Sequence, residues 1–382
     1  MVAIRTTVAL LLIVWAHSAL GVILPEERAD AMYHRYDGGG VTVDGPALLV
    51  RKNFRETVSV NASYYVDSVS SASIDVVTSG ASEYSEQRTE YGLGAAYLYG
   101  KSIFDAGATY SDESDYEAST YYFNISQDFF GDLTNLSFGY ALGQDDVFQN
   151  KNPEFMGSID RHNYRVNLSQ ILTPNLIMAV NYELITEEGY LNNPYRSYRY
   201  LTDPTDPGAG YQLAQEVYPE TRTSDAAALR LLYHLPWQAA VGGHYRFFTD
   251  DWGVDANTIQ LSYTQVFKDR WTVDTKYRYY QQSSADFYSD LFTFASQDEN
   301  DWRARDKELS EFTNHTLSLY ITYSRALSYR MVEKSSISLQ WDHIWFDYDD
   351  FRDLRVQGDV PGQEPLYDFE ADVFKLVFTL WY

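Results

Sequence analysis

From Ala31 to the C-terminus, apolar residues recur at every second position in runs of strand length, and almost nowhere at helical spacing. Val58, Val60, Ala62, Tyr64 and Val66 oppose Ser59, Asn61, Ser63, Tyr65 and Asp67. Tyr91, Leu93, Ala95, Tyr97 and Tyr99 oppose Glu90, Gly92, Gly94 and Ala96, and the pattern repeats through Leu136–Leu142, Leu176–Leu184, Ile259–Phe267 and Ile337–Asp342. The last run is the sharpest: Phe374, Leu376, Phe378, Leu380 and Tyr382 share one face, and Lys375, Val377, Thr379 and Trp381 the other. Ala31–Tyr36, ahead of Gly38, Gly39 and Gly40, is the candidate first strand. So many strands closed around their apolar faces would need a very large dry interior. Turned inside out, they form a barrel with lipid outside and water or a polar plug within. The expected fold is all-β: a transmembrane, antiparallel, up-and-down barrel of about 16 strands (14 to 16).

The connections assign the two rims. Tight turns at Tyr99-Gly100-Lys101, Gly131-Asp132, Thr173-Pro174-Asn175, Pro236-Trp237 and Lys268-Asp269-Arg270 alternate with longer acidic loops at 68–86, 145–160, 189–221, 283–309 and 348–366. Short turns on one rim and long loops on the other match the periplasmic and extracellular sides of an outer-membrane barrel. The brief links at 112–115 and 250–253, and the longer one at 327–334, break the asymmetry.

Composition sharpens this picture. The 382 residues include 34 tyrosines, 20 phenylalanines and 8 tryptophans, side chains that collect where one end is apolar and the other wet. A net charge of −25 argues against nucleic acid, and the absence of cysteine excludes disulfides, thiolate metal sites and a lipid anchor on a cysteine. Residues 1–21 read as a signal peptide, with Arg5, an apolar core from Val8 to Trp15, and Ala19 and Gly21 at a plausible cut. No later run approaches the ~18 apolar residues of a membrane-spanning helix. The expectation is export to the outer membrane of a Gram-negative cell, with 22–382 as a single barrel domain.

One passage carries a resemblance. Tyr36-Asp37-Gly38-Gly39-Gly40-Val41-Thr42-Val43-Asp44-Gly45-Pro46, Leu49-Val50-Arg51-Lys52-Asn53-Phe54, Tyr64-Tyr65-Val66-Asp67 and Ser70 to Thr78 resemble the bacterial DUF3570 family. Arg88-Thr89-Glu90-Tyr91, Glu113-Ser114-Asp115-Tyr116 and Ser126 to Leu133 continue the likeness. The resemblance implies an outer-membrane barrel of no established activity, often encoded near a small lipoprotein, a thioredoxin-like protein and a flavin transferase. It transfers no functional residue and no cofactor.

The chemistry is diffuse. Acidic clusters mark the loops: Asp112, Glu113 and Asp115; Asp145 and Asp146; Asp203 and Asp206; Asp298, Glu299 and Asp301; Asp347, Asp349, Asp350 and Asp353. None has the ordered spacing of a calcium loop, and the plain reading is a solvated acidic rim that concentrates cations. Either His162 or His343 can be drawn beside an acidic couple as a protease-like site, but no local motif supports an enzyme. The expected inward face carries Arg51, Glu90, Asp105, Arg165, Glu183, Arg230, His244, Arg246, Asp274, Lys276, Arg278, Asp342 and Lys375. Such a ladder either lines an aqueous path or pairs across the lumen and fills it. Gly92, Gly94, Gly107 and Gly139 on the same face leave room for a plug, a folded-in loop or a ligand. Two functions stand: a passive channel or small-solute transporter, and a non-conducting barrel that anchors a partner such as an envelope lipoprotein or a thioredoxin-like protein. Neither requires a cofactor, and the one partner common to both is outer-membrane lipid.

Overall fold

The computed structural model describes residues 23–70, 85–150, 152–298, 300–329, 331–356 and 360–382. The leader at 1–21, the stretch 71–78 of the family-like passage and Glu299 lie outside the described residues. Successive strands are β1 (Arg28–Gly38), β2 (Val41–Phe54), β3 (Val58–Ser70), β4 (Ser85–Tyr99), β5 (Ser102–Asp112), β6 (Tyr116–Phe129), β7 (Thr134–Phe148), β8 (Met156–Thr173) and β9 (Leu176–Gly189). They continue as β10 (Ser197–Leu201), β11 (Tyr211–Gln215), β12 (Thr221–Leu235), β13 (Ala239–Asp250), β14 (Asp255–Phe267), β15 (Trp271–Gln282), β16 (Phe312–Tyr329), β17 (Val332–Arg352) and β18 (Leu366–Trp381).

Sixteen of these close into one antiparallel barrel, in which every strand pairs with its neighbours in sequence and β1 pairs with β18 from Arg28↔Trp381 to Gly38↔Ala371. β10 and β11, five residues each and too short for alternation to announce, form a separate hairpin inside the 189–221 connection, expected from the sequence as loop. Among the described residues no helix is long and apolar enough to cross a membrane.

The alternation seen in sequence decides the two faces. Leu93 is 68% exposed and Leu261 60%, and Leu48, Phe138, Leu229, Tyr263, Leu339, Leu376 and Phe378 are exposed beside them, while the residues between them are buried or half-buried. An apolar belt of this extent is stable only against hydrocarbon, and closure leaves no strand edge unpaired within it.

At the short-turn rim the chain reverses with positive φ at Arg55, Glu56, Gly100, Phe130, Gly131, Asp132, Gln238, Lys268 and Asp269, the left-handed conformation that matches tight hairpins to strand twist.

Near the other rim, six hairpins repeat one outward-facing device. An aromatic side chain on the strand rising toward the long loops hydrogen-bonds a polar residue on the descending strand, two positions nearer the loop than its direct partner. The pairs are Tyr33 with Asp44, Tyr140 with His162 (2.8 Å), Tyr182 with Asp225, Tyr245 with Asn257 (2.7 Å), Tyr277 with His315 (2.7 Å) and Trp341 with Asp372 (2.8 Å). Tyr110 and Glu117 occupy the same two positions on β5 and β6. This is the pattern of an aromatic girdle, with every polar tip directed toward the long-loop rim.

Candidate lumen and its cap

All thirteen expected lining residues lie on the face opposite the exposed apolar belt. The structure gathers some of them and leaves others apart. Glu183 takes Arg165 at 2.9 Å and Arg246 at 3.6 Å, with Asn163 donating to it at 2.9 Å. Lys276 meets Asp274 at 3.0 Å, and Glu90 is met by Arg88 at 2.5 Å, a partner the sequence reading had not singled out. Asn124 donates to Asp105 at 3.3 Å, and Gln340 donates to Asp342 at 2.7 Å. Arg230 and His244 are direct cross-strand partners, and His244, Gln260 and Arg278 continue the same row. Lys375 lies directly across from His34, and Arg51 across from Arg28. Arg88 is the hub of a further inner cluster, 3.6 Å from Asp67, which in turn lies 2.7 Å from His34 Nε2, with Tyr65 stacked on the imidazole.

The inward glycines do not leave space for a plug or a ligand. A Cβ on Gly94 or on Gly107 would lie 2.5 Å from the Tyr122 hydroxyl; one on Gly92 would meet Ser63, and one on Gly139 would meet Asn124. The absent side chains admit neighbouring side chains that lie flat along the wall. Reading sequence alone, a glycine shows the vacancy but not the tenant, because Tyr122 arrives from the next strand.

The histidines drawn beside acids lie on the outer wall. His162 is bound to Tyr140, and His343 Nδ1 lies 2.9 Å from Asp372. Several loop carboxylates are exposed, as a solvated rim requires, and also close turns. Asp203 accepts from the Thr205 amide at 2.8 Å, Asp206 from the Gly208 amide at 3.1 Å and Asp298 from the Asn300 amide at 2.9 Å, each closing its own turn. Asp145 is buried against Tyr116 and Arg161. Of the acidic clusters, Glu113 and Asp115 do converge, with Glu86 from β4, so that the three carboxylates lie within 4.8 Å of one another and offer oxygens a hard cation could use. Glu86 escaped the sequence reading because it comes from a different hairpin.

The long loops fold over the mouth and lock to one another. Arg199 of β10 is wholly buried and reaches Glu364 of the β17–β18 connection at 2.6 Å. Asp290 serves as the hub: Arg199 bonds it, Arg305 Nε donates to it at 3.0 Å and the Arg352 amide at 3.2 Å. Arg196 pairs with Asp306, and the Arg305 amide donates to Glu216 at 2.7 Å. Beneath the charges, Tyr218, Trp252, Val254, Phe287 and Leu309 form an apolar core, and Leu191 links it to a second core around Tyr116, Val147 and Ile159. Burial is the largest influence on Glu364 and opposes its ionisation, yet the hydrogen bonds and charge of Arg199 together with backbone amide donors outweigh it and hold the carboxyl below its ordinary range. Burial, followed by the neighbouring Glu216 charge, pushes the Tyr218 hydroxyl well above its ordinary value.

Comparisons with known proteins agree with the architecture. A solved bacterial polysaccharide outer-membrane secretin superposes with a TM-score of 0.50 at 6% identity, covering 94% of this chain and all of that one. OpdK of Pseudomonas aeruginosa, solved with vanillate, gives a TM-score of 0.44 at 10% identity over 94% of this chain and 100% of its own. OmpT of Vibrio cholerae gives 0.41 at 9% identity over 94% and 99%. At such identities the likeness is one of fold. No curated protein matches the sequence. The profile of the family described as "Protein of unknown function (DUF3570)" matches residues 76–337, so the likeness noted at Tyr36–Asp75 lies ahead of it. With most of its length matched by that profile and a closed sixteen-stranded barrel behind it, the chain belongs to the DUF3570 family.

Proposed function

We propose that this barrel works in the outer membrane as a passive channel or transporter for small hydrophilic solutes, with its long loops extracellular. The observation that carries this reading is the inner face. It keeps charged side chains half-buried along the whole wall of a sixteen-stranded barrel, a strand number at which side chains no longer fill the interior. The ion pairs lie along the wall, Arg165–Glu183 between the neighbouring strands β8 and β9 and Lys276–Asp274 within β15, which supports a lined path over a filled one. The test is conductance of the refolded chain in a planar bilayer. Discrete steps above bare lipid are expected, and a silent bilayer containing heat-modifiable, folded protein would count against the channel.

The interlocked cap favours a second reading, a non-conducting barrel that presents its surface to an envelope partner such as a small lipoprotein. Arg199, Asp290 and Glu364 tie loops together across the mouth. Cross-linking in membranes followed by identification of a captured lipoprotein supports it; a barrel captured alone speaks against it.

A further inference from the structure

We infer that the inner wall built by β12–β15 binds a small oxyanion, the phosphate or carboxylate group of a solute, with Arg278 and the Arg230–His244 pair as its recognising groups. The register sets Arg230, His244, Gln260 and Arg278 opposite one another in a single row across four consecutive strands, all facing inward. Strands in a sheet are about 4.8 Å apart, so the row spans about 14 Å across the four strands, and the concave wall tilts its side chains toward a common volume. Arg246 extends the row toward the long loops and Lys276 toward the short turns.

These cations are unevenly served. Arg246 shares Glu183, and Lys276 has Asp274. Arg278 has no carboxylate within ion-pair distance among the described residues. Its Nη2 donates to the neutral Asn314 Oδ1 at 3.3 Å and Thr316 Oγ1 at 3.4 Å, and its Nε is buried without an acceptor. The guanidinium is thus oriented by neutral groups while its charge and one N–H stay uncommitted. A partly desolvated cation in that condition is costly unless an anion shares the site, and the planar fork fits a carboxylate or phosphate edge.

The facing wall is close to balanced. Asp67, Glu90 and Asp105 stand on β3–β5, with Arg88 between the first two, Asn124 beside the third and Arg51 inward on β2. In the closed order, β12–β15 lie half a circuit from β2–β5. A solute anion is therefore drawn to the basic side more strongly than to the other, and a charged lumen selects in this way. The chain then combines acidic loops, which gather cations, with an inner wall that selects anions.

The inference rests on the channel reading for how an anion reaches the wall, but binding is measurable without transport. The folded full-length chain in detergent is titrated calorimetrically with inorganic phosphate and, separately, with acetate; which of them binds distinguishes the two sources. Binding of at least one is expected. Arg278→Gln should weaken it at least fivefold and Arg278→Lys, which keeps the charge but loses the fork, by less. Arg88→Gln on the facing wall should leave it within twofold. Heat-modifiable migration checks that each variant is folded, and Arg230→Gln replaces Arg278→Gln if the latter does not fold. Absence of binding by both anions, or equal loss in Arg88→Gln, overturns the site. A barrel that binds phosphate but leaves the bilayer silent loses the channel and keeps the site, and a conducting barrel that binds neither anion does the reverse.

Discussion

Arg199 grips Glu364 through two parallel bonds, Nη1 to Oε1 at 2.6 Å and Nη2 to Oε2 at 3.1 Å, although 165 residues separate them. With Asp290 on the same guanidinium, the pair staples three long connections. Removing the cation leaves two buried carboxylates without it. Arg199→Met is expected to cost the cap about 3 kcal/mol. The barrel wall should keep its heat-modifiable migration, while trypsin gains access to the 189–221 connection. Unchanged cleavage would show that the staple is idle.

Acid should open the same cap. Glu364 titrates below its ordinary value of 4.5 in the folded chain, so its contribution is fully present above that pH and is lost as pH falls through the folded value. Pepsin cleavage of the cap, relative to a Glu364→Gln control, should rise as the pH drops below about 4.5, the ordinary value from which the folded group is displaced downward. A constant ratio across that range contradicts the assignment.

On the inner wall, Gly94→Ala forces its new methyl against the Tyr122 hydroxyl and Asn61. Overpacking of this kind costs about 1–3 kcal/mol. Tyr122→Phe in the same background removes the closest atom and should restore part of the loss. Urea unfolding of the four proteins of the cycle gives the coupling, and additive effects would deny the contact.

Tyr182→Phe deletes one donor of the girdle and leaves Asp225 at the same level without its partner. A loss of about 0.5–1.5 kcal/mol is expected from the missing hydrogen bond. The same change at Tyr64, which has no such bond among the described residues, should cost less. Equal losses at both positions would mean that only the ring matters.

Much of this molecule is legible from its chain. Period-two alternation fixes which side chains meet lipid, so Leu93, Leu261 and Leu376 and the thirteen inward residues fall on the faces expected of them. Turn lengths separate the rims for the same reason, since a hairpin of two or three residues needs its own local chemistry. The cap is not legible. Arg199, Asp290, Arg305 and Glu364 show no spacing rule, and their carboxylates read as ordinary loop acids until the fold brings them together. The glycines mislead in a related way: a strand reports its own missing side chain, and only the neighbouring strand reports Tyr122.

Each aromatic–polar pair of the girdle is completed within a single hairpin, by one rising and one descending strand. The waterline of the barrel is therefore written separately into each of those staves and does not depend on closure. A hairpin that enters the bilayer alone already carries the mark to which it must sink, and a barrel widened or narrowed by whole hairpins would float at the same height.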